Sequence, residues 1–273
     1  EKNKTDVKKL VADIKNKLQE DNTEWHFPGV VYSSKDKASK IAFAFPGQGS
    51  QYVGMGRDLA CQFPQFFSVL EEANEVFSQN ADEVLNKIIY PIPVFADSDR
   101  KQQEEVLRQT QNAQPAIGAV SLGALNVLRH FGIEADVAVV HSYGELTALH
   151  AAGYYDSESL HRLSHARGEL MNKGEGDRGS MLAVVAGVEK VNELLKENEI
   201  DLVVANHNSP KQVVLSGATD QVDAFAAIAK KQKIRAIRLP VAAAFHSAFV
   251  ADAAKPFAEA VAQIQFQKNT IPV

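Results

Sequence analysis

The 273-residue chain has one cysteine, Cys61, and one tryptophan, Trp25. A single cysteine excludes an internal disulfide framework and any multi-cysteine metal cluster. No uninterrupted apolar run approaches the ~18–20 residues that a bilayer-crossing helix needs, and the first residues lack a signal-peptide pattern. Positive charge is not in excess either. Lys and Arg number 29 against 34 Asp and Glu, a net charge of −5, so the whole chain gives no reason to expect nucleic acid or an anionic membrane as partner. These absences read as a cytoplasmic protein. Glu rather than Met stands first, which reads as a piece of something longer. What is present, 45% hydrophobic and 23% charged residues, is ordinary for a soluble globular chain with a sizeable core.

Residues 1–40 differ from the rest. Val7, Leu10, Val11, Ile14 and Leu18 recur at helical spacing among lysines and acids, which predicts an amphipathic helix. A polar, turn-prone stretch follows over 21–40. The segment reads either as an extension packed on the domain or as a linker from an upstream one. Beyond it, the short apolar run 41–45 is stopped by Pro46-Gly47 and suits a buried strand. Helical patterns follow over 56–88, 103–110 and 116–130, then a second buried strand over 136–140 and a helix over 145–152. Strands alternating with helices predict an α/β domain on a mostly parallel sheet.

From residue 180 the rhythm changes. Strands are expected over 181–186, 202–205, 212–216 and 234–239. Helices are expected over 188–198 and 219–231, the latter capped by Thr219 or Asp220. The order β-α-β-β-α-β is the split βαβ pattern of a ferredoxin-like unit. The expected organisation is an N-terminal helix and linker over 1–40, an α/β-hydrolase-like large subdomain with a parallel sheet over 41–178 and 240–273, and an inserted ferredoxin-like small subdomain over 179–239.

The second strand runs straight into His141-Ser142-Tyr143-Gly144-Glu145 and then a helix. That is the context of a nucleophile elbow, where a sharp turn pushes a serine hydroxyl out above the sheet. The N–H that follows, at Tyr143, faces the reacting carbonyl at a helix N-terminus, where negative charge is favoured. His161 and His165 at i, i+4 make half a metal site; with no zinc-protease glutamate or nearby cysteine, they read as a solvated helix face.

Several motifs stand in one order. They are Phe45-Pro46-Gly47-Gln48-Gly49-Ser50-Gln51, Gly54-Met55-Gly56, Gln114-Pro115-Ala116, the elbow, Arg167, Asn208-Ser209-Pro210 and Phe245-His246-Ser247. Together they resemble the malonyl-CoA:acyl-carrier-protein transacylase family, including acyltransferase domains of fatty-acid and polyketide synthases. The likeness spans residue 40 to the C-terminus. The segment 90–95 and the Gln-rich run to Gln114 further resemble acyltransferase domains of multidomain polyunsaturated-fatty-acid synthases and iterative polyketide synthases.

The resemblance implies the roles. His246 is the base for Ser142, since a free hydroxyl is a poor nucleophile at neutral pH, while His141 is structural because the elbow turns it away. Gln48 shares the oxyanion hole with Tyr143 through its backbone. Arg167 pairs with the free carboxylate of a malonyl group, a fit that favours a guanidinium fork, whereas Arg162 on the same helix is a surface residue. Phe245 disfavours an α-methyl branch, and Gln114 and Asn206 touch substrate or hold loops. No metal or bound cofactor is implied: the substrates are an acyl-CoA, malonyl-CoA foremost, and the phosphopantetheine thiol of an acyl carrier protein, with neighbouring synthase domains as further partners.

Two departures stand out. Val140 occupies a position where the family has glycine, and a β-branched side chain there either forces strand and helix apart or is tolerated by local shifts. The chain ends at Val273, whereas in the family a further segment supplies a main-chain carbonyl that orients the catalytic histidine. Two alternatives therefore stay open, a serine thioesterase or hydrolase that passes its acyl group to water and a catalytically impaired docking domain. Lys230, Lys231, Lys233, Arg235 and Arg238 form a basic cluster that reads as a solvated helix end or as a docking face for an acidic carrier protein.

Overall fold

The computed structural model describes residues 7–20, 24–27, 30–33, 40–79, 84–173 and 176–273. The chain divides into two compact units, Glu1–Ile41 and Ala42–Val273. In the first, α1 (Val7–Gln19) forms where the apolar spacing predicts it. The stretch read as turn-prone holds a hairpin instead. Its strands β1 (Glu24–Phe27) and β2 (Val30–Ser33) pair antiparallel with Phe27 opposite Val30. Trp, Phe, Val and Tyr around Pro28-Gly29 are strand formers flanking turn residues, a signal diluted by the polar residues on either side.

In the second unit, β3 (Ala42–Phe45) and β4 (Val137–Val140) lie side by side in parallel, with Phe45 opposite Val140. Parallel neighbours need a long crossover. This one carries α2 (Arg57–Gln62), α3 (Pro64–Ser78), α4 (Leu85–Ile89), α5 (Asp97–Arg108) and α6 (Thr110–His130). Pro64 opens α3, where a missing N–H costs nothing. Helix α6 begins earlier than expected, with Pro115 inside it. Burial of Thr110, Asn112, Ala113 and Gln114 overrides the bias against helix ahead of a proline. Of the two strands, only Phe45 and Ala138 are buried, which corrects the reading of both as buried throughout. Among the described residues no third strand lies beside them.

The chain continues through α7 (Gly144–Ala151) and α8 (Ser157–Asn172). Asp156 caps α8, its carboxylate accepting the Ser159 N–H at 2.8 Å. Helix α8 packs against α3, α6 and α7, and Gly168 permits the approach to α6: a Cβ there would stand 2.9 Å from the Thr110 carbonyl oxygen. His161 and His165 are therefore buried rather than solvated. Their spacing fits an exposed face, but this helix has neighbours on several sides, and the His165 ring meets Phe77 edge-on at 5.5 Å.

A four-stranded antiparallel sheet follows, built from β5 (Ser180–Val184), β6 (Val203–Ser209), β7 (Gln212–Gly217) and β8 (Ala236–Arg238) in the order β6-β7-β5-β8. Helices α9 (Val188–Glu197) and α10 (Thr219–Lys231) connect them in ferredoxin-like sequence. Leu182, Val184, Val191, Leu194, Val213, Leu215 and Phe225 share one core. Neither Thr219 nor Asp220 caps α10. Asp177 does that work from outside, its carboxylate accepting the Thr219 N–H at 3.2 Å and hydroxyl at 2.7 Å. A second cluster, Met171, Met181, Val214, Ala243 and Phe245, ties α8 and the chain after β8 to this sheet. A 3-10 turn (Ala248–Ala253) and α9's distant successor α11 (Ala254–Val261) come next. The fold is α/β, with a parallel pair and a ferredoxin-like sheet. No helix among the described residues is long and apolar enough to cross a membrane.

Candidate active site

The turn between β4 and α7 holds Ser142 in left-handed backbone, φ 49°, a conformation that costs a non-glycine residue roughly 1–2 kcal/mol. Two glycines make the turn possible. A Cβ on Gly144 would stand 2.1 Å from the Phe45 carbonyl oxygen, and one on Gly47 2.5 Å from that of His141. Strand end, elbow and the loop after β3 are thus packed backbone to backbone. Val140 does not crowd this junction: its side chain is 44% exposed and its pairing with Phe45 keeps register. Of the two alternatives the residue is tolerated, because the extra atoms lie in the open.

Ser142 Oγ is 2.9 Å from His246 Nε2, across 104 positions of chain. His246 is also left-handed, φ 58°. Its loop is pinned from both sides: the Ser216 hydroxyl donates to the Phe245 carbonyl at 2.7 Å, and the Ser247 hydroxyl to that of Ala244 at 2.5 Å. Lost hydration, then the charges of Arg167 and His141, hold the imidazole below the ordinary histidine range. It is therefore neutral and able to accept a proton at pH 7. No hydrogen bond from His246 Nδ1 to a described residue is formed. His141 bonds to Asn208 rather than to Ser142, its Nε2 3.1 Å from Asn208 Oδ1.

Beside the serine, the N–H groups of Tyr143 and Gln48 donate to no described residue. Tyr143 precedes the first turn of α7, whose dipole adds to the attraction for an oxyanion. The Tyr143 ring is buried, with its hydroxyl 2.6 Å from Ser164 Oγ, and burial pushes the phenol up to about 12. The Gln48 side chain is held away from the backbone donor: its amide donates to Thr110 Oγ1 at 3.2 Å and accepts from Gln114 Nε2 at 3.5 Å.

These groups open on a cleft of about 420 Å³, which Arg167, Gln114, Phe245 and Asn206 also line. Arg167 makes no ion pair or hydrogen bond with a described residue. Burial pulls its pKa down, while Tyr143 and Glu145 oppose that pull; a guanidinium stays charged regardless. A desolvated cation without a partner invites an anion. Arg162 instead pairs with Glu158 at 2.5 Å on the exposed side of α8. Gln114 is buried, and its Oε1 lacks a partner among the described residues. In the basic cluster, Lys230 and Lys231 are exposed, but Arg238 is engaged by Asp223 and Ser180.

Sequence reasoning missed Thr110, which anchors Gln48, and Met171, which lines the cleft and receives the Gln114 amide at its sulfur, 3.7 Å away. Both sit at helix positions that periodicity reads simply as core. Ser216 carried no signal beyond its place in a strand, and Ser247, although part of the Phe245-His246-Ser247 motif, was given no role of its own. Among the described residues, no group of three or more His, Cys, Asp or Glu is placed to hold a metal ion.

The fold is thus an α/β one whose elbow serine lies within hydrogen-bond distance of a histidine, beside two backbone N–H groups that donate to no described residue. The chain belongs to the acyl transferase domain family, whose sequence pattern matches residues 42–273. It is 35% identical to the malonyl CoA-acyl carrier protein transacylase of Synechocystis sp., over 86% of this chain and 73% of that one. It is 34% identical to the spectinabilin polyketide synthase system protein NorB of Streptomyces orinoci, over 90% of this chain. The acyltransferase domain from the second module of the salinomycin polyketide synthase superposes with a TM-score of 0.77 at 28% identity, covering 96% of this chain. The chain spans 11% of the length of NorB and 58% of the salinomycin synthase chain.

Proposed function

We propose that this chain moves a malonyl group from CoA to the phosphopantetheine thiol of an acyl carrier protein, through an ester on Ser142. The observation that carries this reading is the 2.9 Å Ser142–His246 contact in a cleft that also holds the Arg167 guanidinium, unpaired among the described residues. His246 Nε2 takes the serine proton as Oγ attacks the thioester carbonyl. The oxyanion of the tetrahedral intermediate is met by the Tyr143 and Gln48 N–H groups, a contribution of ~3 kcal/mol per donor. Collapse breaks the C–S bond, and the departing CoA thiolate takes the proton back from His246. The carrier thiol then repeats the sequence in reverse, leaving the acyl group on sulfur and the serine free. Arg167 holds the distal carboxylate throughout.

No metal or bound cofactor enters these steps. The setting proposed is cytoplasmic, within a larger fatty-acid or polyketide-type synthase whose neighbouring domains are partners. Within the chain, 1–40 is proposed as an extension or linker, 41–178 with 240–273 as the large subdomain, and 179–239 as the small one. The test is intact-mass analysis after mixing with malonyl-CoA, then with carrier protein. A malonyl adduct that is absent in Ser142→Ala and moves to the carrier supports transfer. An adduct lost to water at the same rate with or without carrier supports a hydrolase, and no adduct at all supports a docking domain.

A further inference from the structure

The Tyr143 N–H belongs to the peptide that joins it to Ser142, and that peptide begins at left-handed, strained backbone. Strain favours relaxation of the turn unless the surroundings over-determine it, so the peptide must be held from its other end. The Tyr143 side chain is placed to do this. Its ring is buried in an apolar cluster with Ile117, Leu146, Leu160 and Leu163. Apolar contact is non-directional and fixes neither the depth nor the tilt of a ring; a hydrogen bond constrains both. At the end of the slot, Tyr143 Oη lies 2.6 Å from Ser164 Oγ, which lies 2.7 Å from the Leu160 carbonyl oxygen. A serine hydroxyl has one proton. The Leu160 carbonyl takes it, so the phenol donates to the serine, and burial keeps the phenol protonated. Gly118 leaves room for this bond, since a Cβ there would stand 2.1 Å from Oη. Arg167 follows Ser164 by three residues on α8, on a neighbouring face of the same helix.

We infer that Ser164 is a positioning residue for the oxyanion hole: through the Tyr143 hydroxyl it fixes the direction of the Tyr143 N–H beside Ser142. The inference deepens the reading of Ser142 as the acylated nucleophile and rests on it. The chain of bonds runs from the N–H donor down the Tyr143 side chain to Ser164 and the Leu160 carbonyl. The donor is thereby referenced to α8, the helix that also brings Arg167 to the cleft. Both ends of a bound malonyl thioester are then gauged from one rigid element. The second donor, the Gln48 N–H, has an anchor of its own, with the Gln48 amide on Thr110 Oγ1. Loss of the Ser164 bond therefore loosens one donor of two and removes neither, so its effect is smaller than that of deleting a donor.

The experiment acylates the full chain with malonyl-CoA that is isotopically labelled at the thioester carbonyl. It reads the limiting single-turnover rate from CoA release, and the infrared band of the labelled Ser142 ester carbonyl. That band lies lower in frequency the better the oxyanion-hole donors are aimed at the oxygen. Tyr143→Phe keeps the ring and leaves Ser164 bonded to Leu160. Its limiting rate is expected to fall about tenfold to a hundredfold, short of the roughly 10²–10³-fold loss that deleting a donor causes. The half-saturating malonyl-CoA concentration stays within about twofold of wild type, and the ester band moves to higher frequency. Ser164→Ala shows the same two changes. The double variant is within about twofold of the slower single one, because both substitutions remove the same bond. Wild-type rates in both single variants overturn the inference, as do losses that multiply in the double variant. A slower rate with an unmoved ester band also overturns it, since that is the mark of a merely structural role. Absence of any malonyl adduct on the wild-type chain overturns the reading of the site itself, a distinct outcome.

Discussion

Ser142 and His246 meet at 2.9 Å with both backbones left-handed. Each conformation is unfavourable for a residue with a Cβ, and each is enforced locally, by the Gly47–Gly144 packing at the serine and by the Ser216 and Ser247 hydroxyls at the histidine. Strain held at two facing residues places both side chains above the cleft. Removing the proposed base, His246, should therefore be costly even though the fold remains. His246→Ala is expected to slow acylation by malonyl-CoA about 10²–10⁴-fold, measured by stopped-flow CoA release, with the circular dichroism spectrum unchanged.

The pH dependence follows from the neighbours of His246. Lost hydration first, and then Arg167 and His141, disfavour its charged form, so acylation is expected to fall with acid through a pKa below the ordinary histidine value. Arg167→Gln removes one of those opposing charges. Its acid limb should shift to higher pH, while a His141→Gln variant should shift it less, in line with the smaller influence of that ring. A pH–rate profile of kcat/KM reads both, and an unmoved limb in Arg167→Gln would show that the guanidinium does not act on the base.

Arg167 should also decide which acyl group is taken. The guanidinium has no partner among the described residues, and a charge-assisted pair is worth about 1.5–3 kcal/mol. Arg167→Ala is thus expected to lower kcat/KM for malonyl-CoA by about tenfold to a hundredfold and to change that for acetyl-CoA far less. Competition between the two thioesters, scored by adduct mass, measures the ratio directly.

The elbow was legible because its signal is local: an apolar strand, His-Ser-x-Gly, then a helix. His246 was not legible in that way. It lies 104 positions on, and no periodicity relates the two; only the ordered set of motifs pointed to it. Met171 and Thr110 were invisible for a different reason, since a buried methionine or threonine on a helix has the same pattern whether it lines a cleft or fills a core. The β1–β2 hairpin was hidden by charged neighbours. The two alternatives for Val140 stayed open because a sequence states size but not the space available, and here the residue stands 44% exposed.

Gly144 tests the close packing at the elbow. A Cβ there would stand 2.1 Å from the Phe45 carbonyl oxygen, a backbone atom that cannot turn aside. Gly144→Ala is expected to destabilise the chain by about 1–3 kcal/mol and to abolish acylation, because relief requires β3 and α7 to part. Urea unfolding gives the first quantity. A variant of wild-type stability would mean that the junction yields without cost.

His161 makes the clearest stability prediction. It is 3% exposed, its Nε2 has no partner among the described residues, and burial, reinforced by the nearby His150, holds its pKa down at about 4. In the unfolded chain the imidazole returns to about 6.5. Between those values the unfolded state binds a proton that the folded state refuses, so stability is intact above pH 6.5 and declines as pH falls toward 4. The full loss from this group is about 3 kcal/mol. His165 and His150, both also held low mainly by burial, act with the same sign. Replacing His161 by Leu removes the titrating group and an unsatisfied nitrogen together. Urea midpoints from pH 7 to 4 should then fall less steeply than in the wild type; equal slopes would show that acid unfolds this protein through other groups.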